Sequence, residues 1–227
     1  MQGLPPEIAA LRGGLVVSCQ APARSPLHEP AVIAAIAAAA VGQGAVGVRI
    51  DSPAHIQAVR SRVQVPIIGL WKQVDPTSEV YITPQFHHAQ AVVEAGAAIV
   101  AIDATARPRP QGETLTDLIQ RIHSELQRPV MADIDTLEAA IAAEAAGADI
   151  VGTTLYGYTA DTQQETPPGF DLLAAMVQRL TVPCLCEGGI ASPEAARHAL
   201  DLGAYSVVVG TAITGIDALV AAYCAAL

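Results

Sequence analysis

Positive charge is scarce in this chain, and lysine is all but absent: Lys72 is the only one in 227 residues. Twelve Lys+Arg against 22 Asp+Glu leave a formal net charge of -10 and a pI near 4.9. A field of that sign repels polyanions, which argues against a general nucleic-acid binder or an anionic-membrane binder. A small anion is still compatible, because a few positive groups in one cleft outweigh distant surface charge. Long apolar runs are also missing. The longest run of small apolar residues, AVIAAIAAAAVG from Ala31 to Gly42, is too short and too rich in alanine to cross a bilayer. No basic segment followed by an apolar one opens the chain, so a cytoplasmic location is expected. The four cysteines, Cys19, Cys184, Cys186 and Cys224, form no CxxC pair and no zinc-ligand spacing, so reduced thiols and no metal are expected. Cys184 and Cys186, two apart, share a strand face and read as core packing. Aromatics at 4% give little support to a wide aromatic pocket.

What is abundant is punctuation. Gly-Ala recurs at Gly44-Ala45, Gly96-Ala97, Gly147-Ala148 and Gly203-Ala204, each time between an alanine-rich helical stretch and an apolar run. Those runs are VGVRI, IVAID, DIVGT and SVVVG. Pro66, Pro129 and Pro183 each open another: IIGL, VMAD and CLCE. With LVVSC from Leu15 to Cys19, eight strands emerge. Glycine supplies a left-handed helix cap, and proline at the head of a strand gives up an N–H that the ladder does not yet need.

Helices are expected over Pro30–Gly42, Pro53–Arg60, Pro84–Ala95, Leu115–Glu125, Leu137–Ala146, Phe170–Leu180, Pro193–Leu202 and Ile216–Ala226, with a short extra one near Pro6–Arg12. Apolar strands alternating with helices imply a parallel sheet covered on its outer face. Eight such units suit a single (β/α)8 TIM barrel, typically about 250 residues, with residues 1–227 as one α/β domain. An open doubly wound sheet would carry a GxGxxG turn after its first strand, whereas Gly13-Gly14 precedes that strand.

Barrel chemistry sits at the C-terminal strand ends. Here these carry Ser18 and Gln20, Arg49 and Asp51, Lys72, Asp103, Asp133, Thr153 and Thr154, Glu187, and Gly210. Period-two geometry puts Lys72 on a face with Ile68 and Leu70, Glu187 with Leu185, Asp133 with Met131, and Asp103 with Ala101. If that face is interior, four ionisable groups ring one mouth. For any one carboxylate, a solvated charge or an ion-pair ring competes with a catalytic role. For Lys72 the bland reading is weaker, since burial and neighbours can turn an amine, unlike a guanidinium, into a proton acceptor.

Gly188-Gly189 precedes the helix start Ser192-Pro193, and Gly210-Thr211 follows the eighth strand. Loops at this place in a barrel cradle phosphate with backbone N–H groups. Arg107, nearer the fourth strand end than Arg109, is a candidate anion grip. Tyr156 and Tyr158 either wall a sugar site or pack within their loop. His87 and His88 lie within a helix and read as packing rather than metal ligands.

Nine motifs in order carry a resemblance: GGLVVSCQ, VRI, PIIGLWK, YITP, AIDATARPRP, MADI, DIVGTTLYGYT, CEGGI and VVGTAIT, spread from Gly13 to Thr214. In these the chain resembles the bacterial N-acetylmannosamine-6-phosphate 2-epimerases of sialic acid catabolism. The resemblance implies reversible inversion at C2 of an N-acetylhexosamine 6-phosphate, without nucleotide or metal. It implies Lys72 as proton-transfer base and Glu187 as acid–base partner or ring-opening group, with Gln20, Arg49 and Asp133 on the sugar. Thr153, Tyr158 and Arg107 join them as expected substrate contacts, and Gly188, Gly189, Gly210 and Thr211 as the phosphate loops. Two departures stand out. Many members carry an arginine where this chain has Gly215, and a second basic residue where it has Gln73. Arg107 or the loop backbone is then left to hold the phosphate. The expected partner is a small sugar phosphate, with a homodimer left open as the assembly. The competing readings are a synthase or lyase on a phosphate-binding barrel and a non-catalytic sugar-phosphate sensor.

Overall fold

In all four Gly-Ala pairs the glycine is left-handed, with φ of 99° at Gly44, 111° at Gly96, 104° at Gly147 and 101° at Gly203. Only glycine adopts that backbone cheaply, so each ends a helix and swings the chain into a strand. The computed structural model describes residues 3–227. In it, β1 (Leu15–Cys19), β2 (Gly47–Asp51), β3 (Ile67–Leu70), β4 (Ile99–Asp103), β5 (Val130–Asp133), β6 (Ile150–Gly152), β7 (Cys184–Glu187) and β8 (Ser206–Val209) pair in sequence order into a closed parallel barrel. The fold is the (β/α)8 barrel that the alternation of strand and helix implies.

The helices are α1 (Pro6–Ala9), α2 (Pro30–Gly42), α3 (Pro53–Arg60), α4 (Phe86–Glu94), α5 (Leu115–Arg121), α6 (Leu137–Ala146), α7 (Phe170–Arg179), α8 (Pro193–Asp201), α9 (Thr211–Thr214) and α10 (Ile216–Ala226). Ser192 caps α8 as its spacing suggests, its hydroxyl accepting the Ala195 N–H at 3.2 Å. Among the described residues, no helix is long and apolar enough to cross a membrane.

Two cores divide the strand faces. Val16, Ile68, Leu70, Ile99, Ala101, Met131, Ile150, Leu185 and Val208 fill the interior, while Ile8 and Leu11 pack into the same cluster from the N-terminal segment. Burying one such side chain contributes about 1.5–3 kcal/mol. The alternate residues, Cys184 and Cys186 among them, pack outward against the helices. Because Ile68, Leu70, Leu185, Met131 and Ala101 are interior, the strand-end groups in phase with them turn toward one mouth.

Several elements differ from expectation. The N-terminal helix closes at Ala9, α4 starts at Phe86, and α5 gives way to a π-helical turn, Ile122–Leu126, that ends on left-handed Gln127. The one-turn helix α9 has no amphipathic period to betray it. After β3 the chain doubles back: Lys72 and Ile82 form an antiparallel bridge, and Ile82 is buried against the interior core. The eighth outer position also departs from a fully covered sheet, because α10 forms where expected but buries none of its residues.

Candidate active site

Arg49 is the largest fully buried side chain, at 1% exposure. A guanidinium survives there only if its charge is answered. Asp133 answers it end-on and bidentate, with Nη2 to Oδ2 at 2.6 Å and Nη1 to Oδ1 at 2.9 Å, and Nη1 also reaches Glu187 Oε2 at 2.6 Å. Burial opposes the charge on Arg49, but Asp133 and then Glu187 outweigh it, so its pKa is raised. The β2–β3 register pairs Arg49 with Ile68, which keeps the guanidinium on the interior face.

Glu187 ends β7 with 12% of its side chain exposed, enough to face the mouth. Burial pushes its carboxyl up to about 7, Arg49 opposes that, and the like charge of Asp133 adds to it. The Thr154 hydroxyl bridges the two carboxylates, donating to Asp133 Oδ1 at 2.5 Å and standing 3.3 Å from Glu187 Oε2.

Lys72 lies two residues beyond β3, on the returning segment. Its own N–H donates to Asp51 Oδ1 at 3.0 Å, and the flanking Gln73 N–H donates to Tyr81 O and Thr83 N–H to Trp71 O. Its Nζ donates to Gln20 Oε1 at 2.5 Å, and Gln20 Nε2 donates to Ser18 Oγ at 2.9 Å. The amine is open to water at the mouth yet flanked by protein. That partial desolvation lowers its pKa, against the pull of Asp51 and with the push of Arg49.

These groups share one cavity of about 580 Å³ lined by Gln20, Arg49, Lys72, Glu187, Tyr158 and the Gly188-Gly189 and Gly210-Thr211 loops. A second recess, of about 610 Å³, adjoins it and shares Ser18, Gln20, Lys72, Gly210 and Thr211. Such volumes suit a metabolite-sized ligand. The glycines are steric necessities. Gly189 has φ 69°, and a Cβ there would lie 2.6 Å from the Pro167 carbonyl carbon. Gly210 precedes α9, whose first N–H groups have no acceptor one turn back. The cations on the cavity lining are Arg49 and Lys72, and Arg49 is already engaged by Asp133 and Glu187. At Gly215 a Cβ would sit 2.7 Å from both Thr211 Cγ2 and Thr211 O, so this backbone admits no side chain there.

Three expected contacts fall outside the cavity lining. Thr153 is fully buried: its hydroxyl donates to Glu187 O at 2.9 Å and accepts the Glu187 N–H at 3.1 Å. It fixes Glu187, and its neighbour Thr154 is the one on the lining. Asp133 lies beneath, wholly buried. Arg107 is tied back to Asp103 Oδ2 at 2.7 Å and to Thr105 Oγ1 at 2.9 Å, beside a separate recess with Arg109 and Thr136. It leaves the glycine loops to their backbone. Sequence reasoning named Thr154 and Asp51 only as strand-end residues and gave Tyr81 no role; Thr154 and Tyr81 line the cavity and Asp51 the adjoining recess. His88 is buried edge-on to Trp71, ring centres 5.4 Å apart, as packing predicts. Among the described residues, no three His, Cys, Asp or Glu side chains are grouped to hold a metal ion.

A closed barrel that gathers an amine, an arginine-braced carboxylate and a glycine-lined recess at its C-terminal mouth defines a (β/α)8 enzyme of the acid–base type. Residues 33–227 match a family model described as "NanE: Putative N-acetylmannosamine-6-phosphate epimerase". Proteins carrying the 2-epimerase form of that description are 62% identical over 223 residues in Synechococcus elongatus, covering 97% of this chain and 96% of that protein. In Thermosynechococcus vestitus identity is 65% over 217 residues, covering 96% and 94%. The structure of the N-acetylmannosamine-6-phosphate 2-epimerase from Clostridium perfringens superposes with a TM-score of 0.94 at 38% identity, covering 100% of this chain and 99% of that one. A thiamine phosphate pyrophosphorylase from Pyrococcus furiosus, at 19% identity and TM-score 0.61, shares the fold alone. The chain belongs to the N-acetylmannosamine-6-phosphate 2-epimerase family.

Proposed function

We propose that this chain interconverts N-acetylmannosamine 6-phosphate and N-acetylglucosamine 6-phosphate by moving the proton at C2. Inversion needs a proton taken from one face of a carbon and one returned to the other. The observation that carries the reading is topological: Lys72 follows β3 and Glu187 ends β7, strands diametrically opposite in a closed barrel of eight. The C2 proton is acidic only when C1 is an aldehyde, so the ring opens first, with Glu187 as the group suited to assist. Lys72 Nζ, its pKa lowered, then takes the C2 proton. Negative charge gathers on the C1 oxygen, where Arg49 stabilises it. Reprotonation from the Glu187 side completes the inversion. Gln20 orients Lys72 and hydrogen-bonds the sugar, Tyr158 walls it, and Asp133 holds Arg49. Backbone N–H groups of Gly188, Gly189, Gly210 and Thr211 take the 6-phosphate without a cationic side chain. This chemistry balances in protons alone and needs no cofactor. Residues 1–227 are read as one domain acting as a homodimer in the cytoplasm.

The test is incubation with N-acetylmannosamine 6-phosphate in D₂O, following C2 by NMR. The reading expects N-acetylglucosamine 6-phosphate carrying deuterium at C2, lost in Lys72→Ala. Binding without exchange would make the protein a sugar-phosphate sensor, and no binding would remove the sugar phosphate altogether.

A further inference from the structure

The glycine end of the mouth is open to water. Gly189 and Thr211 are exposed, and Gly188 and Gly210 half-buried, so the loop backbone stays hydrated when no phosphate fills the recess. A site rejects an analogue lacking one polar group by about 10⁴–10⁵-fold where the partners built for that group are buried and left unpaired. Hydrated donors incur no such penalty.

Charge discriminates as little. The charged residues on the cavity lining are Arg49, Lys72 and Glu187. Arg49 is bonded to both Asp133 and Glu187, and Lys72 accepts a proton only in its neutral form. The backbone at Gly215 admits no side chain, and Arg107 is tied to Asp103. The adjoining recess shares Gly210 and Thr211 and brings a carboxylate, Asp217, to the same loop. The Ser25 hydroxyl holds it, donating to Oδ2 at 2.9 Å. A phosphate dianion here meets neutral donors and a like charge in place of a cation.

We propose that the same site epimerises N-acetylhexosamines with a free C6 hydroxyl, interconverting N-acetylmannosamine and N-acetylglucosamine, and that Asp217 holds down the preference for phosphate. The inference rests on the reading of Lys72 and Glu187 as the C2 proton-transfer pair. The step itself is unchanged: one C2–H bond breaks as its proton passes to Lys72, one forms on the opposite face, and nothing is oxidised or reduced. A single charge-assisted contact is worth about 10–150-fold. Without one, the advantage of the 6-phosphate should stay within about 10²-fold.

The test follows C2 by NMR in D₂O with the full chain, using N-acetylmannosamine and its 6-phosphate side by side. Both should gain deuterium at C2, both should stop doing so in Lys72→Ala, and kcat/KM for the free sugar should lie no more than about 10²-fold below. A wider gap overturns the proposal and leaves the 6-phosphate reading standing. Exchange in neither sugar removes that reading as well. Asp217→Arg supplies the missing cation, so it should raise the ratio of kcat/KM, phosphate over free sugar, about tenfold, and added salt should lower that gain. A ratio unmoved or lowered overturns the role of Asp217. If Asp217→Arg loses its helical circular dichroism, Asp217→Asn serves instead, with a rise of about 2–5-fold.

Discussion

Arg49 Nη1 holds Glu187 Oε2 at 2.6 Å and Asp133 Oδ1 at 2.9 Å with the same nitrogen. One buried cation therefore serves two carboxylates of unequal freedom. Asp133 is wholly buried and bidentate, while Glu187 keeps one oxygen outside this contact and faces the cavity. This asymmetry leaves Glu187 as the carboxylate that faces the cavity.

Replacing Glu187 with Gln should cost about 10²–10⁴-fold in kcat, the range for a lost acid–base group. The same change bears on stability. Folding raises the Glu187 pKa from 4.5 to about 7, so between those values the folded state binds the extra proton and stability falls as pH rises. Glu187→Gln is expected to raise the melting temperature at pH 8 and to leave it nearly unchanged at pH 4. A melting temperature lowered at pH 8 but unchanged at pH 4 would mean that the Arg49 contact outweighs desolvation.

Lys72→Arg keeps a positive charge but cannot release a proton near neutral pH. It should lose activity about as far as Lys72→Ala, again about 10²–10⁴-fold. Arginine activity near that of the parent would assign Lys72 a purely electrostatic role. Asp51 favours the charged amine, so Asp51→Asn should move the Lys72 limb of the kcat/KM profile to lower pH.

The Thr154 hydroxyl favours ionised Glu187. Thr154→Val should therefore shift the Glu187 limb of the pH profile upward, and Thr154→Ser should restore it. A lower maximum rate with unmoved limbs would reduce Thr154 to packing.

At Gly189 a Cβ would meet the Pro167 backbone at 2.6–2.8 Å. Gly189→Ala should displace the recess proposed for phosphate and raise KM for the sugar phosphate more than it lowers kcat. Gly215→Ala, blocked by Thr211 at 2.7 Å, should destabilise by about 1–3 kcal/mol, as overpacking does, read in denaturant melts. A stability loss below a few tenths of that would mean the α9–α10 corner yields easily.

Much of this protein is legible along the chain because its determinants are local. Left-handed glycines and strand-opening prolines mark every strand, and a period of two places Lys72 and Glu187 in phase with the interior. Gln20, Arg49, Tyr158 and the glycine loops likewise come to one cavity from strand ends or the loops that follow them. Local pattern is silent where a through-space partner decides. Thr153 and Thr154 are equivalent in sequence, but one bonds the Glu187 backbone and the other faces the cavity. Arg107 looks free until Asp103 is placed beside it.

The sequence by itself determined the eight-unit alternation and the strand-end chemistry, since hydrophobic period and capping act over a few residues. Only the tertiary structure decided which charges Arg49 shares, how the segment after β3 folds back to set Lys72 at the mouth, and that α10 leaves its own barrel uncovered. Those outcomes depend on contacts between residues far apart in the chain, whose energies no local pattern records.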